Sequence, residues 1–239
     1  MPLSYQERFR INQFECDRWD RMKPAAALRR IQEIATNQLE VLGFYTPYNG
    51  RPDSVFLLSK ISMQINRMPA FGEHVMLETR AYGMRRAVFQ RMTSFHAMNG
   101  EKLCETDARW MLVDTRTNRI MREPQEYSRS FNDEQGAETH PMVMPKPGEP
   151  TRLTDMTARY SLCDRNGHIN NADYADLMCD HLPLEKLEQS APRRMLFFYR
   201  AEIRLGETFH LSTAPIGQNG HYFMAGIGDK KHFEGTVEF

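Results

Sequence analysis

The chain has 239 residues, 41% of them hydrophobic, and its 31 Lys and Arg are matched by 31 Asp and Glu. That length holds one large domain or two of roughly 100 to 120 residues, each able to bury a core. The even charge leaves no footprint for nucleic acid and no apolar run reaches the roughly 18 residues of a membrane span, so a small or peptidic partner is expected.

Cys16, Cys104, Cys163 and Cys179 have no paired metal-type spacing, and the chain opens Met-Pro-Leu-Ser-Tyr instead of a charged stretch followed by an apolar one. A reduced, cytoplasmic protein is expected, with each cysteine a small buried hydrophobe.

From the amino end, the first helix is predicted over Pro24 to Leu42. Pro24 suits a first turn, Leu28, Ile31, Ala35, Leu39 and Leu42 recur at helical spacing, and Gly43 suits the stop. Strands are predicted over Val55 to Ile65, His74 to Met84, Arg86 to Met98, Lys102 to Asp114 and Arg119 to Arg122, with Asn99-Gly100 as a hairpin turn. Between Ser128 and Pro150, polar residues and Pro141, Pro145, Pro147 and Pro150 read as a linker. The domain boundaries expected are therefore 1–127, a linker over 128–150, and 151–239.

The second half repeats the plan. It has a strand over Thr154 to Leu162, a helix over Ala172 to His181, then strands over Arg194 to Leu205, Thr208 to Ile216, His221 to Ile227 and His232 to Phe239. Cys16-Asp17-Arg18 aligns with Cys163-Asp164-Arg165, and Gly72-Glu73 with Gly206-Glu207. The offset shrinks between the two matches because the first half carries an extra loop around Thr46 to Ser54, and the pair of matches points to a duplication. The fold class expected is α+β, two tandem units of a helix and an antiparallel sheet.

Before the second-half helix, Asp164, Asn166, Gly167, His168, Asn170 and Asn171 fall within eight residues, with Tyr174 following. A polar turn with Asn170 or Asn171 as helix N-cap is the structural alternative. Caps have no need of His168, however, and the aligned first-half positions hold Trp19, Asp20 and Arg21, while Met68 stands opposite Glu202. One reactive centre is therefore expected, in the second half, with the first half free to bind.

At these residues the chain resembles the acyl-carrier-protein thioesterases of plants and bacteria. The likeness rests on Asp164 through Tyr174, on Tyr199-Arg200-Ala201-Glu202, on Arg67 through Glu73 and on Ala108 through Thr115, and it runs over essentially the whole chain. It implies a tandem pair of hot-dog domains, each a long helix wrapped by sheet, with the acyl chain in the first and the catalytic groups in the second. It also implies hydrolysis of the thioester of a fatty acyl carrier protein. Some accounts of the family place a nucleophilic Cys after the catalytic Glu; here that position is Ile203, so activated water is expected. The start directly at the first strand, without a plastid transit peptide, suggests a bacterial member.

The expected catalytic set is Asp164, Asn166, His168 and Glu202, with Glu202 or His168 activating water and Asp164 and Asn166 orienting His168 and the substrate carbonyl. Gly167 lets the loop approach the thioester, and backbone N–H groups around Asn170, Asn171 and Ala172 are expected to meet the oxyanion. No metal and no cofactor are expected. Met63, Met68, Met76, Met84, Met92 and Met111 of the first half could line an acyl tunnel or simply fill a core. The acidic carrier protein calls for a basic rim, for which Arg29-Arg30, Arg85-Arg86, Arg193-Arg194 and Lys230-Lys231 are candidates. A homo-oligomer and a monomer both suit a tandem chain. The rivals are a coenzyme A thioesterase of the same fold, a hydratase, which would call for Pro where Gly167 stands, and a non-catalytic acyl-binding sensor.

Overall fold

The computed structural model describes residues 4–44, 53–122, 130–131 and 138–239. From the first half come β1 (Ser4–Arg10), α1 (Pro24–Val41), β2 (Ser54–Ile65), β3 (His74–Arg85), β4 (Val88–Ala97), β5 (Lys102–Asp114) and the short β6 (Arg119–Ile120). From the second come β7 (Thr151–Thr157), α2 (Asp173–Cys179), α3 (Leu184–Gln189), β8 (Arg194–Tyr199), β9 (Thr208–Ile216), β10 (Gly220–Ile227) and β11 (Lys230–Glu238). The strands make one large antiparallel sheet in the order β1-β3-β4-β5-β2-β8-β11-β10-β9-β7, with β6 on β5. At its centre β2 pairs with β8, Lys60 opposite Phe198 and Gln64 opposite Arg194. On either side of that seam the strands follow in corresponding order, as a duplication requires.

Helix α1 starts with Pro24 in its first turn and buries Leu28, Ile31, Ile34 and Ala35 against the sheet. Gly43, at φ +78°, then turns the chain away from the helix in the left-handed region. In the second half the single helix predicted over Ala172 to His181 is not formed at that length. Seven residues of α2 are followed by a turn, and α3 starts at Leu184. The cause is Pro183, which has no N–H and crowds the carbonyl four residues back, so the helix stops and a new one begins behind it. The aligned first-half position is Thr36, and α1 runs on through it for 18 residues.

Four predicted strands are shorter than expected. Those placed over Arg86 to Met98 and Arg119 to Arg122 shrink to Val88–Ala97 and Arg119–Ile120. The one placed over Thr154 to Leu162 ends at Thr157, and Tyr160–Leu162 form a 3-10 turn. The one placed over Arg194 to Leu205 ends at Tyr199, so Glu202 lies beyond the sheet in irregular chain.

Residues 138–150 contain no helix or strand. They lie on the face of the sheet away from α1, where the His140 N–H donates to Asp107 Oδ2 at 3.0 Å and Arg194 donates to the Pro141 carbonyl at 2.6 Å. The Asn132 to Gly136 part of the expected linker, the 127/128 boundary and most of the first-half insertion lie outside the described residues. Among the described residues no helix is long and apolar enough to cross a membrane.

The first-half core is divided. Ile61, Met63, Ile65, Val75, Leu77 and Phe95 belong to a large cluster continuous with the second half, whereas Ala81, Phe89, Leu112 and Phe131 form a separate one. The smaller cluster is aromatic, with Phe56 edge-on to Phe89 at 5.4 Å and Phe89 edge-on to Phe131 at 5.7 Å.

Candidate active site

The second-half loop is shaped by its own carboxylate. Asp164 accepts from the Asn166 N–H at 2.8 Å through its side chain and from the Gly167 N–H at 3.0 Å through its carbonyl. Gly167 closes this turn at φ +81°, a conformation that a Cβ would strain. The Asp164 N–H then donates to the His168 carbonyl at 3.0 Å, which fixes the backbone of His168.

Two further bonds bring in the distant segment. The Ile169 N–H donates to the Ile203 carbonyl and the Leu205 N–H to the Gly167 carbonyl, each at 2.9 Å. His168 thus stands opposite Arg204 in an isolated antiparallel bridge. Its Nε2 is 3.8 Å from Glu202 Oε1 and its Nδ1 4.0 Å from Asp164 Oδ1. Both separations exceed a hydrogen bond, whereas Nδ1 lies 3.1 Å from the Ile169 carbonyl. A proton held there leaves the neutral imidazole with Nε2 as an acceptor facing Glu202. Glu202 is 47% exposed and lies 3.7 Å from Arg204, while the side chains of His168 and Asp164 are largely covered.

The structure therefore brings Asp164, Asn166, His168 and Glu202 together. It corrects the expected oxyanion donors. The Asn170 N–H donates to the Leu162 carbonyl at 2.9 Å, and the Ala172 N–H to Asn170 Oδ1 at 2.9 Å. Both are spent on folding the turn, and of the three only the Asn171 N–H makes no such bond. Asn170 closes a side-chain turn just ahead of α2, whose N-cap is Ala172 with no side-chain cap bond, so neither Asn170 nor Asn171 is the helix cap of the structural alternative.

The cysteines are unsuited to nucleophilic attack. Burial pushes the Cys104 and Cys179 thiols up to about 12, and burial together with the Asp164 charge raises Cys163. Ile203, beside Glu202, is wholly buried. Among the described residues no cluster of His, Cys, Asp and Glu could hold a metal ion.

Two supports were not read from the sequence. The half-buried Tyr199 donates its hydroxyl to the Asn171 carbonyl at 2.9 Å, and Tyr174 stacks on Phe233 at 4.1 Å, so an aromatic layer props the loop from beneath. Arg29 of α1 pairs with Asp173 and Asp176 of α2, tying the halves together. Asp173 and Asp176, one turn apart at a helix start, were the available signal.

Half of the candidate basic residues are committed. Arg29 is held as described, Arg30 by Glu15, Arg194 by Glu238 and Lys231 by Glu234. Arg85 and Arg86 are exposed in the β3–β4 turn without an ion pair among the described residues. Strand register puts that turn, the β10–β11 turn bearing Lys230 and the segment bearing Glu202 and Arg204 at one end of the sheet.

Residues 2–131 match the family model of the acyl-ACP thioesterase N-terminal domain, and residues 146–232 that of the acyl-ACP thioesterase C-terminal domain. A chloroplastic palmitoyl-acyl carrier protein thioesterase of Cuphea hookeriana is 23% identical over 92% of this chain, which spans only 57% of that relative's length. The fold is shared with the crystal structure of an acyl-ACP thioesterase from Bacteroides thetaiotaomicron, at a TM-score of 0.88 and 18% identity, covering 99% of this chain and 97% of that one. It is shared also with the 12:0-ACP thioesterase from Umbellularia californica, at a TM-score of 0.80 and 18% identity, covering 98% and 96%.

Proposed function

The chain belongs to the acyl-ACP thioesterase family, and from that premise we propose that it hydrolyses the thioester of a fatty acyl carrier protein by activated water. The observation that carries this reading is the approach of His168 Nε2 and Glu202 Oε1 to 3.8 Å, in one half only. In the mechanism, water stands between these two groups and attacks the carbonyl carbon while Glu202 or His168 takes its proton. The resulting oxyanion is met by the Asn171 N–H at the head of α2, beside Gly167, whose lack of a side chain leaves room for the thioester. The carbon–sulfur bond then breaks, and the thiolate recovers the proton. Asp164 and Asn166 hold the loop and the imidazole in place.

The architecture proposed is a pair of tandem hot-dog units, 1–127 for the acyl chain and 151–239 for catalysis, joined by 128–150. The acidic carrier would dock at the sheet end that presents Arg85, Arg86, Arg204 and Lys230, in the cytoplasm of a bacterium.

The test is free fatty acid release from carrier-protein thioesters of several lengths, beside the matching coenzyme A thioesters, with His168→Ala as control. Release that prefers the carrier and disappears in the control is expected. Glu202→Ala and Asp164→Ala divide the roles: near-normal turnover by Glu202→Ala would remove it as the base. Equal cleavage of the coenzyme A esters would transfer the reading to that substrate, and tight acyl binding without release to a sensor.

A further inference from the structure

Between the two clusters of the first-half core lies a buried polar layer. Arg91 of β4, 6% exposed, points at α1, where its Nη1 donates to Gln38 Oε1 and, at 3.0 Å, to Thr79 Oγ1. Thr79 in turn meets Thr93 at 2.9 Å, and Thr106 donates to the Thr93 carbonyl at 3.3 Å. All five side chains are buried, and no carboxylate reaches the guanidinium among the described residues. A guanidinium so desolvated is expensive to bury, and burial alone pushes Arg91 down to about 10. An apolar residue would serve a mere core better.

The position of the layer gives it a use. Arg91 shares a cross-strand row with Ala81, Ala108, Ile61 and Phe197. One residue pair further along the seam stands Phe198, opposite Lys60, after which β8 leaves the sheet toward Glu202. Phe56 and Phe89 of the aromatic cluster lie on this same side of the row, toward the catalytic end. A chain entering from His168 and Glu202 between α1 and the sheet therefore meets the aromatic cluster first and the Arg91 layer behind it.

We propose that Arg91, braced by Gln38 and Thr79, is the specificity-determining floor of the acyl compartment bounded by Ala81, Phe89, Leu112 and Phe131. A methylene pressed onto this floor must displace the acceptors of the guanidinium or leave its donors facing hydrocarbon, so chains long enough to reach it are rejected. The assignment rests on the proposed acyl thioesterase reading for its substrate.

The experiment compares kcat/KM over saturated acyl-carrier thioesters of eight to eighteen carbons for the wild type, Arg91→Met, Arg91→Lys and Ala81→Leu. Arg91→Met removes the guanidinium from between the two apolar clusters, so the preferred length moves up, with each newly buried methylene raising kcat/KM about fourfold. Arg91→Lys keeps the charge and the wild-type limit. Ala81→Leu fills the compartment just in front of the floor and moves the preference down, which also serves if Arg91→Met does not fold. A folded Arg91→Met, or a folded Ala81→Leu, with an unchanged length profile overturns the assignment. If the wild type cleaves none of the esters, the hydrolase reading fails, and the floor is judged separately by binding of free fatty acids. Trp110, packed on the compartment, reports that binding by its fluorescence. A length limit that moves in Arg91→Met upholds the floor, and one that stays overturns it.

Discussion

The loop around Asp17 and the loop around Asp164 have one backbone and two chemistries. The Asp17 N–H donates to the Arg21 carbonyl at 2.8 Å, as the Asp164 N–H does to that of His168. Asp17 Oδ1 accepts from the Trp19 N–H at 2.9 Å, as Asp164 Oδ1 does from Asn166. Asp20 takes the left-handed turn of Gly167, and Arg21 bridges to Ala70 as His168 does to Arg204. Three side chains make the difference: Trp19 for Asn166, Arg21 for His168, and Met68, 4% exposed, for Glu202. Arg21 binds Asp17 at 3.2 Å, packs over Trp19 at 4.9 Å and donates to the Leu187 carbonyl of the second half. The first loop has become a clamp between the halves, and the second keeps its polar groups beside open solvent. The carboxylate at the head of each loop is thus first a turn-former, and reactivity depends on what that turn holds.

The sharpest way to break this contrast is to truncate the matching side chains. His168→Ala should lower kcat by about 10²- to 10⁴-fold, with thermal stability nearly unchanged. Arg21→Ala should leave kcat within a factor of about two while costing about 1–3 kcal/mol, because Asp17 and the Leu187 carbonyl lose their donor. Steady-state kinetics and urea melts on both variants decide it. Loss of turnover in a fully folded Arg21→Ala protein would mean that the first loop also serves catalysis.

A smaller effect tests the shared turn. Gly167 stands at φ +81° with open space where a Cβ would project, and Asp20 fills the same place at φ +59°. Gly167→Ala should therefore destabilise by about 1 kcal/mol through backbone strain alone. Asp20→Gly should change stability by less than about 1 kcal/mol in the favourable direction, since the strain it relieves is offset by a freer unfolded chain. Paired urea melts read both. A Gly167→Ala protein of normal stability would show that the two turns are not equally constrained.

Much of this was legible because it depends on local periodicity and turn chemistry. The span of α1, the strands from Lys102 to Asp114 and from Thr208 to Ile216, and the pairing of Asp17 with Asp164 and of Glu73 with Glu207 all follow from patterns within short windows. The meeting of Glu202 with His168 was expected only through the family resemblance, since nothing local links residues so far apart. What could not be read was tertiary. The halt of α2 depended on Pro183, the spending of the Asn170 and Ala172 donors on a particular turn geometry, and the Arg91 layer on three elements converging. A buried arginine in a strand looks no different in sequence from a solvated one.

The smallest expected effect lies in the second pair of matched residues. Glu73 accepts from the Ala70 N–H at 2.9 Å, and Glu207 from the Arg204 N–H at 2.7 Å, so each carboxylate closes the same turn. Only Glu73 also takes two hydrogen bonds from Arg67, each at 2.9 Å. Those bonds, with the Ala70 N–H and the Arg67 charge, hold its carboxyl below the ordinary value of 4.5 against the opposing pull of burial. A carboxyl lowered in the folded state takes up its proton first in the unfolded chain as pH falls. Its contribution is therefore complete above about pH 4.5 and is lost as acid titrates the folded form. Arg67 is 40% exposed, so the ion pair is worth no more than about 1 kcal/mol. In urea melts from neutral pH downward, Glu73→Gln should lose stability at neutral pH and converge on the wild type in acid, by a larger margin than Glu207→Gln. Parallel curves for Glu73→Gln and the wild type would show that Arg67 adds nothing to a turn its backbone already closes.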